Sequence, residues 1–240
     1  MTPCHGRAAL WGMALTMIVN RPFARGVVLP GVFRPRSDTW LLARAAAREP
    51  LPRGARILEL CAGPAFAGIA AARACGGDLV TVDVSRRAVL NARVNGLANG
   101  VRISARRGDL FAAVAGERFD LILANPPYVP GPDPPGAGPA RGWEAGEDGR
   151  AVLDRICAEA PRFLVGNGTL LIVHSEICGT HRTLGAYTRS GLLADIAARE
   201  QGPFGPLVRA RRAELEAGGL LRPGQDTEEI VVARGRVTST

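Results

Sequence analysis

Short apolar runs alternate with longer segments of helical periodicity along most of this chain, and that alternation constrains its fold more than any other feature. Repeated strand and helix units on this scale build a parallel sheet with helices on both of its faces. The sequence therefore predicts a doubly wound α/β fold. The predicted strands are residues 55–60, 79–83, 101–105, 119–124, 169–174, 193–198 and 229–233, and the predicted helices are residues 37–47, 66–75, 85–97, 149–164 and 181–190.

Two serines mark the predicted starts of helices. Ser37 precedes the apolar residues of the first helix and Ser85 those of the third. At both positions a serine hydroxyl can accept a hydrogen bond from an unpaired backbone N–H. In the third helix Val89, Leu90 and Val94 lie at helical spacing, so we expect them to form its buried face.

The chain has the size of one domain. Its 240 residues, of which 47% are hydrophobic, can bury a sizeable core. We expect residues 1–26 to be a flexible N-terminal extension and residues 27–240 to form a single domain. The apolar run at residues 8–19 is shorter than the roughly 20 residues that span a bilayer, and no small-residue cleavage site follows it. The sequence thus indicates no membrane segment.

The basic residues exclude several classes of enzyme. All 30 of them are arginine, so the chain lacks the lysine on which Schiff-base enzymes, P-loop hydrolases and kinases depend. The net charge of +8 favours an anionic partner such as nucleic acid, although a GC-rich genome explains the arginine bias more simply. The five cysteines are scattered and the three histidines lack metal-ligand spacing, which indicates no metal site and favours a reducing cytoplasm.

Acidic residues lie at the ends of three consecutive predicted strands. Glu59 is near the end of the first, Asp83 closes the second, and Asp109 follows the third. In a doubly wound fold these strand ends meet at the edge that binds the ligand. Asp83 follows Gly63 by twenty residues, a spacing at which a carboxylate accepts from ribose hydroxyls. We expect Asp109 to accept from an adenine amino group while Leu110 offers its backbone.

The strongest chemical signal is Asn125-Pro126-Pro127-Tyr128, directly after the apolar strand at 119–124. Methyl transfer to a planar amide or amino nitrogen requires a lone pair freed from conjugation, so the site must hold both N–H bonds. The Asn125 side-chain oxygen and the Pro126 carbonyl supply two acceptors at one point, and the prolines fix their φ angles. Tyr128 can stack on the flat group. The motif predicts N-methylation with these four residues as the catalytic group.

With this motif the chain resembles the class I S-adenosylmethionine-dependent methyltransferases of the HemK/PrmC type, which are protein glutamine methyltransferases. The resemblance covers roughly residues 27–237. Residues 33–39 are similar to the segment that closes over the cofactor, and residues 143–149 are similar to an acidic, glycine-rich stretch. The resemblance implies a Rossmann-like sheet of seven strands, mostly parallel with an antiparallel last strand, in a short form without the N-terminal helical domain.

The resemblance also implies roles for individual residues. The implied cofactor is S-adenosyl-L-methionine, and the implied acceptor is a glutamine side chain of a protein such as a peptide-chain release factor. One departure lies in the turn after Glu59, where the family has glycines and this chain has Cys61 and Ala65. That departure leaves weaker cofactor binding or a reshaped pocket open. The implied cofactor-binding residues are Thr39, Glu59, Gly63, Asp83, Asp109, Leu110 and Asn125, and the residues implied to hold the acceptor are Asn125, Pro126, Pro127 and Tyr128.

Two other functions remain open. The same motif can hold an exocyclic amine of RNA or DNA, or of a small molecule, and a nucleic-acid base would have to be flipped out or single-stranded. Residues 121–148 carry four acidic residues against Arg141 alone, which suits a phosphate backbone poorly and makes nucleic acid the less favoured partner. A catalytically degenerate cofactor-binding protein is the third hypothesis, because of Cys61 and Ala65.

Overall fold

The computed structural model describes residues 16–131 and 145–238 of the chain. They form a two-stranded hairpin and a seven-stranded sheet with helices on both faces. The strands are β1 (Met17–Arg21), β2 (Ala24–Val28), β3 (Arg56–Leu60), β4 (Asp78–Asp83), β5 (Ile103–Arg107), β6 (Phe119–Ala124), β7 (Leu164–Ser175), β8 (Leu192–Pro203) and β9 (Thr227–Val237). The α-helices are α1 (Ser37–Ala46), α2 (Phe66–Cys75), α3 (Arg86–Asn99), α4 (Ala151–Glu159), α5 (Thr180–Arg189), α6 (Pro206–Ala210) and α7 (Arg212–Ala217).

The strands of the large sheet lie in the order β5-β4-β3-β6-β7-β9-β8. Neighbouring strands from β5 to β7 pair in parallel, whereas β9 pairs antiparallel with both β7 and β8. The expected mostly parallel sheet with an antiparallel last strand is thus confirmed. The chain order reverses between β3 and β6, and such a reversal opens a crevice at the carboxyl ends of the two strands.

Alternate residues of the central strands supply two cores, one on each face of the sheet. On one face Ile57 and Leu121 pack against the alanine-rich helices α1 and α2. On the other face Leu58 and Ile122 pack against α4 and α5. All four side chains are fully buried, as expected for strands that helices cover on both faces.

Residues 17–26 of the expected N-terminal extension form most of the hairpin β1–β2. Both strands pair from Met17↔Val28 to Arg21↔Ala24, and β2 continues past residue 26. Residues 1–15 lie outside the described residues. Each strand has only five residues and no regular alternation of apolar and polar side chains, which is why the pattern missed them.

The expected buried face of α3 is wrong for Leu90 and Val94, whereas Val89 packs against the core. Leu90 is 54% and Val94 39% exposed, while Asn91 and Asn95 are fully buried. The reason is that α3 packs against the backbone of β2: Asn91 Oδ1 accepts from the backbone N–H of Leu29, and Asn95 Oδ1 accepts from that of Val27. A helix that covers a strand's unpaired edge needs amide side chains to satisfy it.

The two serine caps differ. Ser85 caps α3 as predicted, because its hydroxyl accepts from the N–H of Ala88. Ser37 is instead the first residue of α1, with Arg36 at the N-cap and no side-chain cap. Helix α2 and strand β6 have the predicted bounds, whereas α4 is shorter than expected, β7, β8 and β9 are longer, and α6 and α7 were not predicted.

None of the helices in the described parts of the chain has the length and apolar character of a membrane span.

Candidate functional site

The turn after β3 has an unusual backbone. Cys61, Gly63 and Ala65 have φ angles of 52°, 51° and 63°, in the left-handed region. Non-glycine residues occupy this region at a cost of roughly 1–2 kcal/mol each. The two positions at which this chain lacks the family's glycines thus keep a backbone conformation that glycine favours. The departure changes the side chains and stores strain, but it does not straighten the turn.

Asp83 holds this turn against the end of β4. Its Oδ2 accepts from the backbone N–H of Gly63 at 2.9 Å, and its Oδ1 accepts from that of Ser85 at 2.8 Å. Burial raises the pKa of this carboxyl, and the two hydrogen bonds oppose that rise. The turn after β3 and the end of β4, which the spacing between Gly63 and Asp83 predicts to lie together, are therefore joined through one carboxylate.

Glu59 lies beneath the turn. Its side chain is buried and its Oε2 accepts from the backbone N–H of Gly68, in the first turn of α2, at 2.9 Å. Burial, aided by the charge of Asp83, raises the pKa of Glu59 to about 8. Gly68 makes this approach possible, since a Cβ there would lie 2.6 Å from Oε2. At neutral pH the Glu59 carboxyl is therefore mostly protonated, and it ionises as the pH rises past about 8.

Asp109 and Leu110 form the third strand-end pair. Leu110 has φ 46° and begins a short 3₁₀ helix, with its side chain buried. Asp109 is exposed, and its Oδ2 lies 2.8 Å from the guanidinium of Arg155 on α4. No sequence pattern points to Arg155, because it lies 46 positions from Asp109 and the fold brings the two residues together.

Asn125 and Tyr128 are held by the first turn of α1. The Asn125 Nδ2 donates to Thr39 Oγ1 at 3.4 Å, and the Tyr128 hydroxyl donates to Asp38 Oδ2 at 2.9 Å. Burial and the Asp38 charge raise the pKa of Tyr128 well above 10, so the phenol stays protonated. The family motif points to Thr39 but not to Asp38, although the two residues are adjacent.

The backbone of the motif is contacted by residues just before α5 and by the segment before α4. Cys178 Sγ lies 3.0 Å from the carbonyl oxygen of Tyr128, within hydrogen-bonding distance. A Cβ on Gly149 would come within 2.3 Å of the same oxygen. The buried guanidinium of Arg150 donates to the carbonyl of Cys178 at 2.6 Å and to Thr183 Oγ1 at 3.1 Å. Gly149 belongs to the acidic, glycine-rich stretch at residues 143–149, whereas Arg150, Cys178 and Thr183 lie in no motif of the sequence.

The long proline-rich loop after the motif is only partly described. Residues 132–144, which include Trp143 and Glu144 of the acidic stretch, lie outside the described residues. The flanking segments are hydrogen-bonded to each other, from the Ala145 N–H to the Val129 carbonyl at 3.2 Å and from the Gly131 N–H to the Gly146 carbonyl at 2.9 Å. The base of the loop is therefore fixed beside Tyr128.

The polar groups at this edge suit a cationic nucleoside ligand. Carboxylates follow or lie near the ends of β3, β4 and β5, and the tight turn brings backbone close to them. Carboxylates can accept from ribose hydroxyls and from an amino group, and they complement a positive charge. Among the described residues no cluster of three or more His, Cys, Asp or Glu side chains is placed to hold a metal ion.

Two sequence relatives bear on this site. A family model described as Methyltransferase small domain matches residues 27–137. A relative from Methanocaldococcus jannaschii, named as a protein N5-glutamine methyltransferase, is 33% identical over 181 residues, which are 75% of this chain and 90% of that protein. The release factor glutamine methyltransferase of Mycolicibacterium smegmatis is 34% identical over 71% of this chain, which spans 63% of that enzyme's length.

Two solved structures share the fold. The E. cuniculi Mtq2–Trm112 complex, responsible for methylation of the eRF1 translation termination factor, aligns with a TM-score of 0.60 at 22% identity, over 87% of this chain and 99% of that chain. The T. thermophilus 16S rRNA methyltransferase RsmC, solved with AdoMet and guanosine, aligns with a TM-score of 0.59 at 19% identity, over 92% of this chain and 50% of that chain.

Proposed function

We propose that this chain, which belongs to the HemK/PrmC-type protein glutamine methyltransferases, methylates the side-chain amide nitrogen of a glutamine in a protein. The cofactor is S-adenosyl-L-methionine. The acceptor protein that we propose is a peptide-chain release factor, as in the name of the mycobacterial relative. The observation that carries the proposal is the orientation of Asn125, whose Nδ2 faces Thr39 and whose Oδ1 is left to accept.

In this proposal the strand-end residues hold the cofactor. Asp83 accepts from the ribose hydroxyls with the lone pairs that its bonds to Gly63 and Ser85 leave free, and Asp109 and Leu110 contact the adenine. When bound, the cofactor would supply a methyl group on a positively charged sulfur, and loss of that methyl group would leave a neutral thioether. Glu59, with its pKa of about 8, supports the turn from below and adds negative charge near that cation when ionised.

The acceptor motif prepares the amide nitrogen. Asn125 Oδ1 and the Pro126 carbonyl accept its two N–H bonds, which turns the lone pair out of conjugation with the amide carbonyl. The Tyr128 ring stacks on the flat amide, with its hydroxyl anchored on Asp38. In this arrangement the nitrogen would form its bond to the methyl carbon as the carbon–sulfur bond breaks, and one proton would leave the nitrogen to solvent. Positioning supplies most of the rate enhancement, so no strong base is required.

The test is a labelled-substrate screen with the protein as it exists. Tritiated S-adenosylmethionine is incubated with a bacterial release factor, with ribosomal protein uL3, with ribosomal RNA and with DNA. We expect label in the release factor, on the glutamine of its Gly-Gly-Gln loop, and none in a release factor whose glutamine is replaced by alanine. Label that enters only nucleic acid would refute the proposal.

Cofactor binding is measured separately by calorimetric titration. We expect the protein to bind S-adenosylmethionine in spite of Cys61 and Ala65, because both residues keep the left-handed backbone of the turn. No heat of binding at millimolar cofactor would favour the degenerate, non-catalytic alternative.

A further inference from the structure

Asp38 sits at the centre of a buried hydrogen-bond network next to the acceptor motif. It is 5% exposed, in the first turn of α1. Three donors converge on its two oxygens: the backbone N–H of Thr39 at 2.6 Å, the Thr39 hydroxyl at 3.2 Å and the Tyr128 hydroxyl at 2.9 Å. A group that receives three donors on two oxygens is an acceptor only, which is the behaviour of a carboxylate.

The direction of these hydrogen bonds fixes the orientation of Asn125. Because Asp38 only accepts hydrogen bonds, the Thr39 hydroxyl donates its single hydrogen to Asp38 Oδ1. Its oxygen can then only accept from Asn125, so the Asn125 amide must turn its Nδ2 toward Thr39. The two ends of an asparagine amide have similar shape but opposite hydrogen-bonding character, and among the described residues the relay from Asp38 is what distinguishes them.

We propose that Asp38 is a positioning residue for methyl transfer, which orients Asn125 through Thr39 so that Oδ1 faces the acceptor nitrogen. The inference rests on the proposed function. A flipped Asn125 would present an N–H to the acceptor amide, which itself needs an acceptor there, and would repel it. The second arm of the network, from Tyr128 to Asp38, fixes the tyrosine ring on which the amide stacks.

The experiment compares Asp38→Ala with Asp38→Asn, using labelled S-adenosylmethionine and the release factor as acceptor. Asp38→Ala frees the Thr39 hydroxyl to donate to Asn125, so kcat is expected to fall about 10- to 100-fold. In Asp38→Asn the side-chain oxygen can still accept from Thr39 while its NH₂ faces the Tyr128 hydroxyl. That variant is expected to keep most of the wild-type kcat.

Three further variants separate orientation from other effects. Thr39→Val removes the relay and is expected to lower kcat as Asp38→Ala does, whereas Thr39→Ser keeps a hydroxyl and is expected to rescue it. Ile156→Val is a stability control: it trims a fully buried side chain on α4 at a cost of about 1 kcal/mol and touches none of the network. It is expected to leave kcat unchanged, so loss of stability alone would not mimic the effect.

The outcomes are distinguishable. Asp38→Ala with a kcat within twofold of wild type would overturn the inference, and so would a parallel loss of cofactor affinity by calorimetry, since the relay acts on the acceptor side. An Asp38→Asn variant as inactive as Asp38→Ala would also contradict it. If the wild-type protein itself labels no glutamine, the proposed function fails instead, whatever the variants do.

Discussion

The two halves of the site, at the ends of neighbouring strands, are built in different ways. After β3 the residues 61–65 form a turn in which three of five residues have left-handed φ angles. After β6 the residues 125–128 are held by side chains from α1 and by contacts from the segment before α4 and from the residues before α5. One half is specified by backbone conformation, and the other by hydrogen bonds from distant parts of the chain.

The contrast shows which substitutions each half tolerates. A backbone turn can exchange glycine for cysteine or alanine when the surrounding fold enforces the same φ angles, at the cost of strain. A site made of oriented side chains fails when one donor or acceptor is removed, because its neighbours lose their direction. We therefore expect the acceptor half to respond in turnover and the turn to respond in stability.

The largest effect is expected for Asn125→Ala. The change removes one of the two acceptors that we propose for the substrate N–H bonds, so turnover should fall at least about 100-fold, as it does when an oriented donor to a transition state is lost. Cofactor binding should be largely retained in calorimetry. The control is Asn99→Ala, which removes an asparagine bonded to the hairpin backbone. Unaltered turnover in Asn125→Ala would show that the motif is structural.

Gly149→Ala tests the backbone demand of the acceptor half. The new Cβ would lie 2.3 Å from the Tyr128 carbonyl at a φ of 72°, so the free energy of unfolding should fall by at least about 2 kcal/mol. Gly191→Ala is the control, because its φ is 80° but nothing lies within 4 Å of the added Cβ. Equal losses in urea unfolding would mean that the contact with Tyr128 has no effect.

The sequence predicts the turn better than the acceptor network, for a physical reason. Strand ends, Gly63 and Asp83 are separated by short, regular spacings, so periodicity alone places them together. Asp38 and Arg150 act on residues that are far away in sequence, and no local pattern reports such contacts. The same limit explains the wrong face of α3, where Asn91 serves a strand that carries little periodicity.

Glu59→Gln tests the electrostatics beneath the turn. The folded pKa of about 8 lies above the ordinary 4.5, so between these values the folded protein holds a proton that the unfolded chain releases. Stability is therefore lost as the pH rises through this window. From pH 5.5 to 7.5, without cofactor, wild type should lose on the order of 2 kcal/mol more than Glu59→Gln in urea unfolding. Glu214→Gln, an exposed carboxyl on α7, should keep the wild-type slope.

The smallest expected effect concerns the strain in the turn. Ala65 and Ala71 are both fully buried, but Ala65 has a φ of 63° and Ala71 lies within α2. Replacement by glycine removes one buried methyl at either site and raises the unfolded-state entropy equally. At residue 65 it also relieves the left-handed strain, whereas at residue 71 it weakens a helix.

Ala65→Gly should therefore be more stable than Ala71→Gly by about 1–2 kcal/mol, with Ala65→Gly itself near wild type. Urea unfolding at one pH measures both. Equal destabilisation by the two variants would mean that the left-handed backbone of Ala65 does not destabilise the folded protein. The contrast between a backbone-specified turn and a side-chain-specified acceptor site would then rest on the acceptor half alone.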